Sequence, residues 1–190
     1  MNEPTSRTGR ALFLDRDGTL MVDKVYLADP AGVELVPGIG DALRRARQLG
    51  FQLFLFTNQS GIGRGYHTIE DTHRVNARFE ELLGLPAPVF DDTCIAPEAP
   101  GQPVAYRKPS PRFILEMIAR HGLDPKQCYM VGDALSDIQA ALNAGIHPVL
   151  VRAGKTDPAT LPEVTRHRVP VFDSVAAFVA TLQPGPAGHA

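Results

Sequence analysis

The chain has 190 residues, 44% of them apolar, with a formal charge of -2 and two cysteines. That is enough material for the core of one globular domain, and Lys and Arg are too dispersed to form a footprint for nucleic acid or an anionic membrane. No apolar run approaches the length of a membrane span, and no N-terminal basic, apolar and small-residue pattern marks a leader, so a cytoplasmic setting is expected.

Taken in chain order, short apolar runs alternate with longer segments of helical period, the pattern of a parallel sheet with helices on both faces. Residues 1–9 are expected to be flexible, and "RALFLD" (10–15) predicts the first strand. "GIGDALRRARQLG" (38–50) has apolar residues at helical spacing and stops at Gly50. "FQLFLFT" (51–57) predicts the second strand, and 68–84 a helix capped by Thr68 and stopped by Gly84. A third strand is expected in "VFDDTCIA" (89–96), then a helix over 110–122 with Ser110 as cap and Pro111 in the first turn. "CYMVG" (128–132), a helix over 134–145, "HPVLVR" (147–152), a short strand in "VPVFD" (169–173) and a last helix over 173–183 complete a single domain spanning 10–182. The tail 183–190, rich in Pro and Gly, is expected to be flexible.

In such sheets ligands collect beyond the C-terminal ends of the strands. Asp15 and Asp17 end the first strand, Thr57 and Asn58 the second and Asp133 the fourth, while Arg107 and Lys108 precede the helix over 110–122. Residues two apart in extended chain face the same side, so Asp15 and Asp17 aim at one place. Two carboxylates about 4 Å apart repel by about 4 kcal/mol at an effective dielectric of about 20, so a counter-charge or a proton is needed there. Oxygen ligands from Asp15, Asp17 and Asp133, without a Cys or His cluster, suit Mg²⁺. "DRDGT" alone also reads as an Asp-rich turn, with Gly18 at positive φ and Thr19 capping.

Taken together, "DRDGT", "TNQ", "RKP" and "VGDALSD" resemble the four motifs of the haloacid dehalogenase (HAD) superfamily of phosphohydrolases, over residues 10 to about 156. The resemblance implies a three-layer, Rossmann-like α/β fold, and the short spacings between motifs leave no room for a large cap domain. It implies that Asp15 is the nucleophile forming an aspartyl phosphate, and that Asp17 is the general acid and then the base. Mg²⁺ would be held by Asp15, Asp133 and the main-chain carbonyl of Asp17. Thr57 and Asn58 would donate to the phosphoryl oxygens, and Lys108 would stabilise transition-state charge.

"MVDKVYL", "TNQSGIGRGYHT" and "RKPSP" narrow the resemblance to the capless branch of histidinol-phosphatases and heptose-bisphosphatases, with the latter nearer. That branch implies substrate contacts from Asp23, Lys24, Val25 and Tyr26, from Thr57, Asn58, Gln59 and Ser60, and from Arg107 and Lys108. The partner is then a small phosphorylated metabolite, with no nucleic acid and no membrane, and a monomer is expected. Arg64 reads either as a substrate contact or as a solvated loop residue, and Asp137 either as a partner of the metal site or as a solvated acid. The branch commonly carries zinc before its lysine through Cys-x-His and Cys-x-Cys. Those positions read Cys94-Ile95-Ala96 and Val104-Ala105-Tyr106, so no structural zinc is expected. Ala134 stands where heptose-bisphosphatases often have lysine. His67, His73, His121 and His147 lack metal-ligand spacing and read as structural or surface residues. A receiver-like phospho-aspartate switch is the competing reading, but it requires its acceptor at the end of the third strand.

Overall fold

The computed structural model describes residues 9–152 and 157–184. The expected flexible ends lie outside the described residues except for Gly9, Gln183 and Pro184, as does the "AGK" that follows the fifth strand. Six strands form one parallel sheet: β1 (Arg10–Leu14), β2 (Phe51–Asn58), β3 (Asp92–Ala96), β4 (Cys128–Gly132), β5 (His147–Val151) and β6 (Val171–Phe172). Their order across the sheet is β3-β2-β1-β4-β5-β6. The helices are α1 (Ile39–Gln48), α2 (Ser60–Gly63), α3 (Ile69–Leu83), α4 (Arg112–His121), α5 (Leu135–Ala144), α6 (Pro162–Arg166) and α7 (Val175–Thr181).

The strands are apolar on both sides because both faces are covered. Along β1, Leu12 and Leu14 enter a core built with Ile39 and Leu43 of α1, Phe79 of α3 and Phe178 of α7. Ala11 and Phe13 enter the opposite one, with Phe113 and Met117 of α4 and Ala140 and Ala144 of α5. There Phe13 stacks on Phe54 at 4.9 Å between centroids and meets Phe113 edge-on at 6.1 Å. Each such ring contributes about 1.5–3 kcal/mol by leaving water.

Helix boundaries follow their caps. Thr68 accepts from the Asp71 amide at 3.1 Å while the Asp71 carboxylate accepts from the Thr68 amide at 2.7 Å, a reciprocal cap that starts α3. The expected Ser110 cap is displaced. Its hydroxyl donates to the Ala105 carbonyl at 3.1 Å and accepts from Arg112 only at 3.4 Å, so α4 begins after Pro111. The third strand starts later than "VFDDTCIA" suggests, because the Asp91 side chain takes the Leu53 amide at 2.9 Å and the Arg47 guanidinium at 2.5 Å. Helices α2 and α6 are not legible in the hydrophobic pattern, being four and five residues long.

Strand order reverses direction between β1 and β4, which lie side by side and leave a crevice beyond their C-terminal ends. Residues 15–38 fold over it as a short flap, pinned by Val22 to Glu34 at 2.8 Å and Val36 to Leu20 at 3.0 Å. Neither this flap nor the connections 59–68 and 97–111 contain a cap domain. Among the described residues no helix is long and apolar enough to cross a membrane.

Candidate active site

Asp15 leaves the end of β1 with its amide bonded to the Val131 carbonyl at 3.0 Å, which fixes it beside the end of β4. Asp133 follows β4 directly, and Asp137 lies in the first turn of α5. The carboxylates of these three residues offer oxygens that all lie within 4.8 Å of one another. Asp137 is 1% exposed, which settles the two readings of it against the solvated one. One of its oxygens accepts from the Ala134 amide at 3.0 Å and the other lies 2.6 Å from the Lys108 ammonium. Its close approach depends on Gly132, where a Cβ would sit 2.2 Å from the Asp137 Cγ.

Lys108 is 3% exposed and donates to Asp15 at 2.7 Å. Burial alone would lower its pKa, but the facing charges of Asp137 and Asp15 outweigh burial and hold it raised. Burial drives Asp15 well above the usual carboxylate range despite Lys108, with Asp137 and Asp133 adding repulsion. Asp133 is pushed up to about 6, by burial first and by Asp137 next. Three acids against one ammonium leave a deficit of positive charge at a cluster of hard oxygens, the setting that accommodates Mg²⁺.

The Lys108 main chain is held from β2. Its amide donates to Asn58 Oδ1 at 2.9 Å, and Asn58 Nδ2 donates to its carbonyl at 3.2 Å. The Asn58 side chain thereby brackets the lysine, a part the residue pattern does not reveal. Thr57 is 1% exposed and its hydroxyl accepts from Gln59 at 2.8 Å; the same Gln59 amide reaches Asp17 at 2.8 Å.

The Asp17 carboxylate is not one of the three clustered acids; Arg16 and Gln59 hold it at the edge of the same cavity. Arg16, 1% exposed, donates to both Asp17 oxygens at 3.1 and 3.2 Å and, with its far nitrogen, to Asn76 of α3 at 2.7 Å. Neither Arg16 nor Asn76 stands out by motif reading. Their signal is a polar residue at a buried position, since Asn76 shares the core face of α3 with Val75, Phe79 and Leu83.

A cavity of about 240 Å³ opens beside these groups, lined by Asp17, Asp23, Tyr26, Asn58, Gln59 and Asp133 together with Arg16, Val25, Leu27 and Ser60. Val25 and Tyr26 reach it through consecutive left-handed conformations, φ 56° and 54°, with Asp23 accepting from the Val25 amide at 2.8 Å. Such a backbone costs about 1–3 kcal/mol per residue and is held where a loop must present side chains. Tyr26 packs edge-on against Tyr66 at 4.9 Å, joining the flap to the glycine-rich loop. Lys24 is not part of this lining; it pairs with Glu34 at 2.6 Å in an exposed bridge. Arg107 donates to the Glu98 carbonyl at 3.0 Å, and Arg64 is exposed. A larger cavity of about 760 Å³ runs between α3 and the outer edge of β3, but none of the clustered carboxylates lines it. Strand β3 ends in Ala96, so the position a receiver domain needs for its acceptor carries no acid.

A parallel sheet with acids at the β1 and β4 ends, and a lysine bracketed from β2, is the arrangement of the HAD hydrolases. A family model described as HAD-hydrolase-like matches residues 105–178. Relatives named D-glycero-beta-D-manno-heptose-1,7-bisphosphate 7-phosphatase include one from Helicobacter pylori, 39% identical over 140 residues, covering 73% of this chain and 81% of the relative. Another, from Yersinia pestis, is 39% identical over 153 residues, covering 76% and 81%. The crystal structure of D,D-heptose 1,7-bisphosphate phosphatase from B. bronchiseptica, complexed with magnesium and phosphate, superimposes with a TM-score of 0.79 at 30% identity, covering 90% of this chain and 96% of that one. The chain belongs to the HAD superfamily of hydrolases, among its phosphatases.

Proposed function

We propose that this chain is a Mg²⁺-dependent phosphomonoester hydrolase that works through an aspartyl phosphate, on a small sugar phosphate of the D-glycero-D-manno-heptose 1,7-bisphosphate type. The observation that carries the reading is the junction of Asp15, Asp133 and Asp137 with Lys108 at the β1/β4 crevice. Asp15, Asp133 and the Asp17 carbonyl would hold Mg²⁺, which supplies charge neutralisation between an anionic attacker and an anionic ester. The donor set suits that ion: clustered oxygens, two of them on carboxyls raised by burial and mutual repulsion.

Asp15 is the oxygen nucleophile toward phosphorus, and the buried Lys108 ammonium keeps it oriented and shares its charge with the transferring phosphoryl oxygens. Asp17 gives a proton to the leaving oxygen and takes one from the water that cleaves the acyl phosphate. Gln59 and Arg16 fix its two oxygens so that one face remains toward the cavity. Thr57 and main-chain groups of residues 57–60 line the phosphoryl side, while Asp23, Val25 and Tyr26 meet the rest of the substrate. The 240 Å³ cavity is smaller than a typical pocket for a whole metabolite, so the distal part of the substrate extends beneath the flap toward solvent. One catalytic domain over 10–182, acting as a monomer in the cytoplasm, completes the proposal.

The test is hydrolysis of para-nitrophenyl phosphate with and without Mg²⁺, beside an Asp15→Asn control, followed by kcat/KM for heptose 1,7-bisphosphate against histidinol phosphate. Mg²⁺-dependent turnover lost in the variant supports the chemistry. A wide preference for histidinol phosphate would assign the other substrate.

A further inference from the structure

The loop 97–106 carries a carboxylate with no part in the chemistry above. One oxygen of Glu98 accepts from the main-chain amides of both Ala105 and Tyr106, each at 2.8 Å, while the Glu98 carbonyl accepts from the Arg107 guanidinium at 3.0 Å. Its other carboxylate oxygen is closed off from solvent. Successive N–H groups converging on one anion make a small backbone nest, and charge-assisted bonds of this kind are stronger than neutral ones. Burial would raise the Glu98 pKa, but the donated amides outweigh it and hold it lowered, so the residue acts as a fixed anion. Glu98 thus meets the segment that delivers Arg107 twice, through its side chain at Ala105 and Tyr106 and through its carbonyl at Arg107.

Lys108, the next residue, is anchored separately, by Asn58 on its main chain and by Asp15 and Asp137 on its ammonium. Ser110 donates to the Ala105 carbonyl at 3.1 Å, and Asn143 of α5 to the Pro109 carbonyl at 3.0 Å. The lysine has these anchors apart from Glu98, whereas the Arg107 fork meets the residue-98 carbonyl, whose register against Arg107 the Glu98 side chain sets through the Ala105 and Tyr106 amides. With one N–H engaged by the Glu98 carbonyl, the remaining donors of the Arg107 fork suit a planar or tetrahedral oxyanion.

The geometry points to Glu98 as the positioning residue that presets Arg107 for an oxyanion on the part of the substrate distant from the reacting phosphorus. This rests on the phosphatase reading above. Glu98→Ala, Glu98→Gln and Arg107→Ala are compared on heptose 1,7-bisphosphate and on para-nitrophenyl phosphate, which has no distal oxyanion. Glu98→Ala raises KM for the bisphosphate by about 10-fold with kcat within about 3-fold, and shifts KM for the nitrophenyl ester far less. Glu98→Gln, which keeps an acceptor for the two amides, restores KM to within about 3-fold of the parent. Adding Glu98→Ala to Arg107→Ala raises KM no further, because the first acts through the second.

Equal KM changes on both substrates, additive effects in the double variant, or no change at all would overturn the proposal. Should Glu98→Ala fail to fold, the Gln variant against Arg107→Ala still separates positioning from support. A parent chain that turns over the nitrophenyl ester but not the bisphosphate overturns the distal role. A parent with no Mg²⁺-dependent turnover of either substrate instead removes the phosphatase reading beneath it.

Discussion

The ammonium of Lys108 lies 2.6 Å from the carboxylate of Asp137, with both side chains almost wholly out of solvent. Asp15 lies 2.7 Å from the same ammonium, so the lysine stands between the proposed nucleophile and a second acid that makes no attack. Two anions therefore compete for one cation, and neither monopolises it. Asp137→Asn removes the competitor: Lys108 then leans on Asp15 alone, and the nucleophile is more tightly paired. The expected outcome is a fall in kcat of about 10- to 100-fold at saturating Mg²⁺, in line with partners that orient metal-site groups. The stability loss in urea unfolding should stay below the roughly 3–5 kcal/mol of an orphaned buried charge, since Lys108 keeps Asp15 as its partner. An unchanged kcat would show that Asp137 serves α5 alone.

Gly132 makes that placement of Asp137 possible. A Cβ there would meet Asp137 Cγ and Oδ2 at 2.2 Å and the Asp137 Cβ at 2.6 Å, so turning the carboxylate alone does not relieve the overlap. Gly132→Ala should displace the carboxylate and lower stability by about 1–3 kcal/mol, the usual cost of forcing atoms into a packed site. Its kcat should fall with that of Asp137→Asn, and the two changes combined should be less than additive. Thermal unfolding and steady-state rates of the two single variants and the double variant check this.

Arg16 and Asn76 carry the same logic to the proposed acid/base. Arg16 binds both oxygens of Asp17, so its replacement by Ala leaves Gln59 as the remaining side-chain donor in the observed network. A hydrogen bond to a charged group contributes about 1.5–3 kcal/mol, so kcat should fall roughly 10- to 150-fold in Arg16→Ala. Asn76→Ala removes a contact to Arg16 rather than to Asp17, and should cost less than about 10-fold. Rates at fixed saturating substrate, beside circular dichroism to confirm folding, read the difference. Equal losses in both variants would mean that α3, not the Arg16 fork, places Asp17.

The contrast among these residues shows what a sequence makes legible. Asp15 and Asp133 are visible because each follows an apolar run, whereas the strand order β3-β2-β1-β4-β5-β6 is not, since crossovers of one hand allow several orders. Thr68 and Gly84 are visible because helix ends are local events. Arg16, Asn76 and Glu98 act across 60 residues or by gathering main-chain amides, contacts that no periodicity encodes. The pairing of Asp137 with Lys108 is hidden for the same reason, although Asp137 is the N3 residue of α5 and its local bond to Ala134 is the kind a capping pattern foretells. Lys24, expected at the substrate from its place in a motif, pairs with Glu34 in an exposed bridge, a partner ten residues away that the motif does not indicate.

The acidic cluster also sets how stability responds to pH. Asp133 titrates at about 6 in the folded chain, against 3.8 as its ordinary value, chiefly through burial. The folded state thus holds this proton more tightly than the unfolded one. Its contribution to stability is full below about 3.8 and is lost as pH rises through about 6. Asp15 is shifted the same way, by burial against the pull of Lys108. In chelator-treated protein, Asp133→Asn has no such proton to lose, so its Tm relative to the parent should climb between about pH 4 and pH 7. Mg²⁺ competes with protons for these oxygens, so the rise in Tm that it produces should be greater near pH 7.5 than near pH 5. Asp133→Asn should lose most of that rise at both pH values. Thermal scans across the two pH values, with and without Mg²⁺, decide the matter: a Mg²⁺-induced shift independent of pH, or one undiminished in Asp133→Asn, would place the ion away from these carboxylates.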